Sequence, residues 1–203
     1  MFKRALMVGA ALFFLTAAGW GQDGKFDVSV SGAGVFSKQT SGNGVVLTPT
    51  ENAGVLAGLD MHLSPATALQ VNFGHADNSQ KYAAGGLDFR VLTTITELSG
   101  ALVVTPIRKD RYRVFAFGGA GALFFNPNSS LIDETPQFIG ASRQSRVGIL
   151  YGGGVDYNLV SHWALRLQYR GLFYSPPNFK VANLFTGGRG HLAEPAIGLV
   201  FNF

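Results

Sequence analysis

Six charged residues stand at positions where alternating strands would turn their side chains to a common side. They are Asp60, Glu97, Arg146, Asp156, Arg166 and Arg170. If these strands close into a narrow barrel, acids and bases that share its interior must pair, because burial of an unpaired charge is costly. The two signs are balanced, whereas a selective pore is more often lined by one sign. We therefore predict a structural ion-pair network that plugs a lumen, with a narrow polar pore as the alternative.

The histidines are the other residues that could do chemistry, and they are scattered: His62, His75, His162 and His191. His75 with Asp77 and Ser79, or His191 with a loop serine, would suit a hydrolase only if nucleophile, base and orienting group were within hydrogen-bond reach. The run from His75 to Ser79 matches no known signature. The glycines at 118–121 precede no helix or lysine that a phosphate loop needs. We predict no catalytic, cofactor or metal site.

The elements that must position these residues are strands, because apolar and polar residues alternate with a period of two. The last ten residues show this most clearly, with Ile197, Leu199, Phe201 and Phe203 on one side. Comparable patterns predict eight strands, at 26–37, 54–63, 69–74, 87–105, 111–125, 146–159, 164–170 and 194–203.

Two of these strands are ambiguous. In the fourth, the apolar parity changes between Thr93 and Leu98, which predicts a long strand with a β-bulge whose upper half projects beyond a bilayer. The alternative is an irregular loop to Thr93 followed by a shorter strand. The fifth strand has small or apolar residues on both sides around 118–121, so its parity stays open.

The predicted connections alternate between long and short along the chain. With the N-terminus in the periplasm, every short turn falls on the periplasmic side and four long loops lie outside, as in transmembrane β-barrels. Such barrels also carry aromatic residues at both interfaces. The predicted periplasmic ring is Tyr112, Tyr157, Trp163 and Phe203, and the predicted outer ring is Phe36, Phe73, Phe125 and Phe173.

Composition agrees with a barrel whose outer face is apolar. Charged residues are 14% of the chain, against about 25% in soluble domains. No predicted strand interior contains a lysine, although lysine suits a wet outer face. The formal charge of +4 forms no basic patch for nucleic acid, and the absence of cysteine excludes disulfides and thiol chemistry.

The N-terminal sequence is typical of a secretory signal peptide. Lys3 and Arg4 precede an apolar run of about 14 residues, which is shorter than a membrane-spanning helix, and small residues follow it. We predict a cleaved signal at 1–21, with cleavage after Ala18 or Gly21, and a barrel domain at 22–203.

The mature length resembles the small outer-membrane β-barrel family that includes OmpX, Ail and the transmembrane domain of OmpA. The residues that carry the likeness are the 151–157 strand (Tyr-Gly-Gly-Gly-Val-Asp-Tyr), the 164–169 strand (Ala-Leu-Arg-Leu-Gln-Tyr) and the terminal Phe203. The resemblance implies an all-β, eight-stranded antiparallel transmembrane barrel in the outer membrane. It also implies recognition of the strand ending at Phe203 by the barrel assembly machinery.

The family is functionally mixed, so the resemblance leaves the role open. We expect a monomer in outer-membrane lipid with a structural or adhesive role, whose loops bind an extracellular ligand. The alternatives are a small pore for ions or solutes, a lipid-modifying enzyme, and a soluble periplasmic barrel with its apolar face inward.

Overall fold

A computed structural model describes residues 25–203, which form one closed antiparallel sheet. The strands are β1 (Phe26–Ser37), β2 (Thr40–Gly42), β3 (Val45–Pro49), β4 (Asn52–Ser64), β5 (Thr67–Ala84), β6 (Leu87–Arg108), β7 (Tyr112–Ile132), β8 (Thr135–Pro136), β9 (Gln144–Val160), β10 (Trp163–Tyr174) and β11 (Gly190–Asn202). A short 3-10 helix spans Ala182–Leu184. No helix among residues 25–203 is long and apolar enough to cross a membrane. The predicted signal peptide lies outside the described residues.

Eight of these strands, β1, β4, β5, β6, β7, β9, β10 and β11, make the barrel wall, and β11 pairs with β1 to close it. The predicted eight-stranded antiparallel fold is therefore confirmed. Strands with no free edge satisfy the backbone of every wall segment internally, which is the condition for crossing hydrocarbon.

The two ends of the barrel differ as predicted, with one exception. Short turns at 65–66, 109–111 and 161–162 lie at the end of the barrel where β1 begins and β11 ends. In transmembrane barrels the end with the short turns is the periplasmic end. The opposite, extracellular end has long connections between β1 and β4, β7 and β9, and β10 and β11. The expected long loop between β5 and β6 is wrong. Those strands continue upward and join through Gly85 and Gly86, whose φ angles of 60° and 82° suit a two-residue hairpin turn.

Side chains alternate between the lumen and an outer apolar belt. The belt contains exposed residues such as Val55, Val71, Leu98, Leu167 and Ile197. Tyr112, Tyr157 and Trp163 lie exposed at its periplasmic edge, and Phe36, Phe73 and Phe173 lie exposed at its outer edge. The prediction that Phe125 belongs to the outer aromatic ring is wrong, because Phe125 is 1% exposed and faces inward. Its neighbour Phe124, 41% exposed, takes the place in the outer aromatic ring.

The predicted bulge in β6 is also wrong. β6 pairs with β5 from Leu87 to Val104 without a register shift. Val91 and Ile95 in the upper part of β6 are buried inside, while Leu98 and Leu102 in the lower part are exposed outside. The apolar residues therefore move from the inner to the outer face of the sheet, although the backbone of the strand stays regular. The shift near this point belongs to β7, where Asn128 is left unpaired between partners of Leu92 and Thr93.

Above the outer ring the sheet continues as an extracellular extension, formed by β2, β3, β8 and the upper parts of β5, β6 and β7. Its interior is an apolar cap over the lumen. The buried residues of this cap are Leu47, Tyr82, Val91, Leu123, Phe125, Tyr174, Phe179 and Leu184. The extracellular mouth is therefore closed by packed side chains.

The 175–189 connection completes the apolar cap by folding inward. The Tyr82 hydroxyl donates to the Pro177 carbonyl at 2.7 Å, and burial raises the pKa of this phenol, which keeps the donor protonated. The Gln144 side-chain oxygen accepts from the backbone N–H groups of Asn178 and Phe179, both at 2.9 Å. These bonds hold Phe179 and Lys180 at positive φ, a conformation that costs a non-glycine residue roughly 1–2 kcal/mol. Phe179 is thereby turned into the cap, where it is fully buried.

Pro195 interrupts the ladder that closes the barrel. Lys38 donates its backbone N–H to His191 at 2.9 Å, so bonded pairs recur at every second step down β1 and β11. Gly34 opposite Pro195 falls on such a step, but proline has no N–H to donate. The β1–β11 pairing accordingly breaks between Ala33 and Phe36.

The two neighbouring phenylalanines test the assignment of faces. Phe125→Ala empties part of the apolar cap and should lower the free energy of unfolding by about 3–5 kcal/mol. Phe124→Ala removes a ring that is partly exposed to lipid and should cost clearly less. Urea unfolding of both variants in the same lipid vesicles measures the difference, and equal losses would contradict the inward placement of Phe125.

Candidate functional site

The lumen contains the largest collection of buried charged side chains in the described residues, and it lies in two layers. The lower layer, near the periplasmic mouth, contains Asp27, Asp60, His62, Arg113, Asp156 and Arg166. The upper layer contains Glu97, Arg170 and Glu194. Each layer is built from several strands, so the charges join opposite walls of the barrel.

Arg166 is the centre of the lower layer. It donates from Nε and Nη2 to the two carboxylate oxygens of Asp156 at 2.7 and 2.9 Å, a bidentate arrangement. The same Nη2 lies 3.0 Å from Asp60, whose other oxygen accepts from Gln70 at 2.7 Å. The guanidinium carbon lies 4.8 Å from the centre of the Phe115 ring, on which the cation packs.

Arg113 extends this layer towards the periplasm. Its guanidinium lies 3.2 Å from Asp27 and 3.1 Å from Asp156, and it also donates to the Asn202 side chain at 3.0 Å. Asp27 in turn lies 2.8 Å from His62 Nε2. The three carboxylates thus face two guanidinium groups and one imidazole, all within direct contact.

In the upper layer a single cation bridges two acids. Arg170, only 1% exposed, donates from Nη2 to Glu97 and, at 3.1 Å, to the Ser99 hydroxyl. Its Nη1 lies 3.1 Å from Glu194 on the adjacent strand β11. The apolar cap lies above this layer, so polar and apolar contacts together fill the lumen from the lower ionic layer to the outside.

Five of the six predicted lumen residues enter these layers: Asp60, Asp156 and Arg166 in the lower, Glu97 and Arg170 in the upper. Arg146 does not. It shares their inward parity, but it lies beneath the 175–189 connection, 3.5 Å from the Asn178 side chain.

Sequence reasoning missed four members of the layers: Asp27, His62, Arg113 and Glu194. Asp27, His62 and Glu194 already had inward parity in their alternating strands, so the signal was present. Arg113 was hidden because the fifth strand could not be assigned a parity. Its pairing opposite Asp156 settles that parity, with Arg113, Phe115 and Phe117 facing inward.

The histidines do not form the hydrolase arrangements considered from sequence. The Asp77 carboxylate accepts from Thr94 at 2.7 Å and the Ser79 hydroxyl accepts from Arg90 at 2.9 Å, so both are engaged away from His75. His191 is bonded to Tyr151 at 2.9 Å. Within residues 25–203, no group of three or more His, Asp or Glu side chains is arranged to hold a metal ion.

A polar cavity of about 510 Å³ opens below the lower layer at the periplasmic mouth. Its walls include Asp27, His62 and Arg113, together with residues of the periplasmic turns such as Lys109 and Ser161. This cavity, which we call the periplasmic vestibule, ends where Arg113 and Arg166 cross the lumen. It is therefore open to the periplasm and closed at its inner end.

Removal of the Arg170 cation tests the upper layer. Arg170→Met leaves Glu97 and Glu194 buried without a counter-ion and should cost about 3–5 kcal/mol of unfolding free energy. The triple variant Glu97→Gln, Arg170→Met, Glu194→Gln removes the uncompensated charges and should recover most of that loss. Arg146→Met, which breaks no buried ion pair, is the matched control and should cost less than about 1 kcal/mol. Unfolding in urea ranks the three, and a triple variant as unstable as Arg170→Met would contradict the pairing.

Comparison with known proteins identifies the fold. No protein-family model matches the sequence, and no curated protein matches it significantly. Solved structures do match. Ail, the attachment invasion locus protein of Yersinia pestis, in complex with the heparin analogue sucrose octasulfate, has 12% identity and a TM-score of 0.54 over 90% of this chain and 100% of its own.

Two further outer-membrane proteins match more closely in shape. Neisserial surface protein A has 14% identity and a TM-score of 0.57, over 88% of this chain and 97% of its own. OprG from Pseudomonas aeruginosa has 12% identity and a TM-score of 0.58, over 90% of this chain and 98% of its own. The chain therefore has the fold of the small eight-stranded outer-membrane β-barrels, and its apolar belt lies in the outer membrane.

Proposed function

We propose that the protein is a non-enzymatic, monomeric barrel that acts through its extracellular extension, as a surface-interaction or adhesion-like protein. The observation that carries the proposal is that the lumen is filled by side chains, whereas the extracellular surface is exposed. Two ionic layers and the apolar cap fill the lumen. On the extracellular side, the part of the chain left free to meet other molecules is the outer surface of the extension and of the loops beside it.

The extension has the properties of a binding platform. Its strands are paired from base to tip, which presents side chains at low conformational cost on binding. Large apolar side chains are nevertheless exposed on it and on the loops beside it. Leu87 of β6 is 44% exposed, Phe138 in the loop after β8 is 91% exposed, and Phe185 in the 175–189 connection is 51% exposed. Phenylalanine is enriched in the cores of protein–protein interfaces relative to the rest of the surface. The similar fold of Ail, which is named for attachment, adds support of the same kind.

Adhesion by whole cells tests this role. Cells that display the protein should bind immobilised extracellular matrix extract or an epithelial monolayer, and cells with an empty vector should not. The triple variant Leu87→Ser, Phe138→Ser, Phe185→Ser should reduce the bound fraction at least tenfold, because it removes the exposed apolar contacts.

A matched control changes exposed apolar residues at the other end of the barrel. Leu63→Ser with Val160→Ser alters side chains that are 57% and 63% exposed near the periplasmic turns, and it should leave adhesion unchanged. Both variants are first checked for folding by the difference in gel mobility between unheated and boiled samples. Adhesion that survives the extracellular triple variant, on every surface offered, would refute the proposal.

Conductance separates the adhesive role from the alternative of a small pore. The periplasmic vestibule favours a pore, but Arg166 and Arg170 span the lumen above it. The folded protein should therefore be electrically silent in a planar bilayer. Discrete and reproducible current steps from folded protein would contradict the filled lumen and establish the pore, with Arg166 and Arg170 as the first residues to replace.

A further inference from the structure

A cluster of cationic and aromatic side chains lies on the outer wall of the barrel, at the level of the outer aromatic ring. We call it the rim patch, and it consists of Lys38, Tyr151, Phe173, Arg189 and His191. Tyr151 lies on β9, Phe173 on β10 and His191 on β11, while Lys38 directly follows β1 and Arg189 directly precedes β11. Phe173 pairs with His191 across β10 and β11, and the Lys38 backbone N–H bonds to the His191 carbonyl at 2.9 Å.

The aromatic half of the rim patch is organised by direct contacts. The Tyr151 hydroxyl lies 2.9 Å from His191 Nε2. The Tyr151 and Phe173 rings stack with centroids 5.6 Å apart, and the Phe173 and His191 rings lie 4.7 Å apart. Gly171 makes room for this arrangement, because a Cβ there would lie 2.4–2.6 Å from Tyr151 ring and hydroxyl atoms.

The cationic half is exposed and unpaired. Lys38 and Arg189 are both exposed, and within residues 25–203 neither forms an ion pair with a carboxylate. Lys38 follows Phe36 of the outer ring by two residues, so it lies just outside the apolar belt. Cations at this height lie beside lipid headgroups, where they attract anionic ones.

A shallow apolar groove, widely open on its outer side, lies on the outer wall below the rim patch. It has a volume of about 710 Å³, and its outward-facing lining includes Gly32, Gly34, Ala53, Leu167, Tyr169, Pro195 and Ile197. On the outer face of β10, Gly171 is the one residue between Tyr169 in the groove and Phe173 in the rim patch. Small residues on β1 and β4 make the wall concave here, where the surrounding belt carries Val, Leu and Ile.

We propose that the rim patch and the groove form one binding site for a phosphorylated glycolipid of the outer leaflet. Lys38 and Arg189 contact the phosphate, the bonded Tyr151 and His191 pair contacts the polar headgroup, and an acyl chain lies in the groove. A lipid fits both parts, since a soluble polyanion would use the cations and leave the groove empty. The inference rests on the outer-membrane location and not on the adhesive role, so either can fail without the other.

The experiment uses the folded full barrel in detergent with diphosphoryl lipid A as the probe, and it measures lipid binding by native mass spectrometry and by the rise in unfolding temperature. The wild type should retain the lipid. Lys38→Gln with Arg189→Gln should weaken binding about 30-fold, which corresponds to the loss of two cations at a charged headgroup. Lys81→Gln with Lys180→Gln removes one exposed cation from the extension and one from the 175–189 connection, and it should bind like the wild type.

A second pair of variants tests the groove. A Cβ at Gly32 meets nothing within 4 Å and Gly32 faces outward, so Gly32→Phe should place a ring in the groove and weaken lipid binding while folding is kept. Gly100 is also exposed, on β6 away from the groove, with its nearest contact at 4.0 Å. Gly100→Phe should leave binding unchanged.

Three results would overturn the proposal. The first is wild-type affinity in the Lys38 and Arg189 variant. The second is equal weakening by the Lys81 and Lys180 control. The third is an equal rise in unfolding temperature from inorganic pyrophosphate or from a sulfated glycan alone, which would show an anion site without a lipid.

Discussion

Backbone hydrogen bonding in lipid is the constraint on which this structure depends. A peptide group in hydrocarbon has no water to bond, so a spanning sheet must close on itself. Closure of β1 on β11 after eight wall strands leaves a lumen only wide enough for side chains. Those side chains must then satisfy one another, because little solvent reaches them. Arg166 and Arg170 do so by joining acids from strands that are distant in sequence.

The outer aromatic ring marks a change in what each face of a strand requires. Below it the outside is lipid and the inside is polar, so Leu98 points out and Glu97 points in. Above it the outside is water and the inside is the apolar cap, so Val91 and Ile95 point in. A single regular strand therefore shows an apparent change of parity in its sequence. A strand that leaves a bilayer can show this inversion without any irregularity in its backbone.

This inversion explains which parts of the fold could be predicted from the sequence. Period-two alternation identified the strands wherever one face met lipid, as in β10 and β11, and the long and short connections gave the topology. The bulge in β6 and the placement of Phe125 failed because one rule for the outer face was applied on both sides of the membrane boundary. Parity alone identified three lumen acids, Asp60, Glu97 and Asp156, and would have identified Asp27 and Glu194 as well. Arg113 required the register against Asp156, which pattern reasoning in a glycine-rich strand cannot supply. The rim patch depends on contacts between three strands, which have no signature in the local sequence.

The interruption at Pro195 bears on how the barrel is completed. The β1–β11 seam joins the two ends of the described chain, so its formation closes the longest loop that the fold contains and carries the largest entropic penalty of any strand pair. Pro195 divides that seam into a run from Asp27 to Ala33 and a short upper run at Phe36 and Ser37. The lower run has most of the paired residues and lies beside the ionic layer of Asp27, so it supplies most of the hydrogen bonds that hold the seam closed. The upper run keeps the register of the lower one, so the proline weakens the seam without shifting it. The stretch opposite Pro195, below the rim patch, is therefore a weak point in the closure of the barrel.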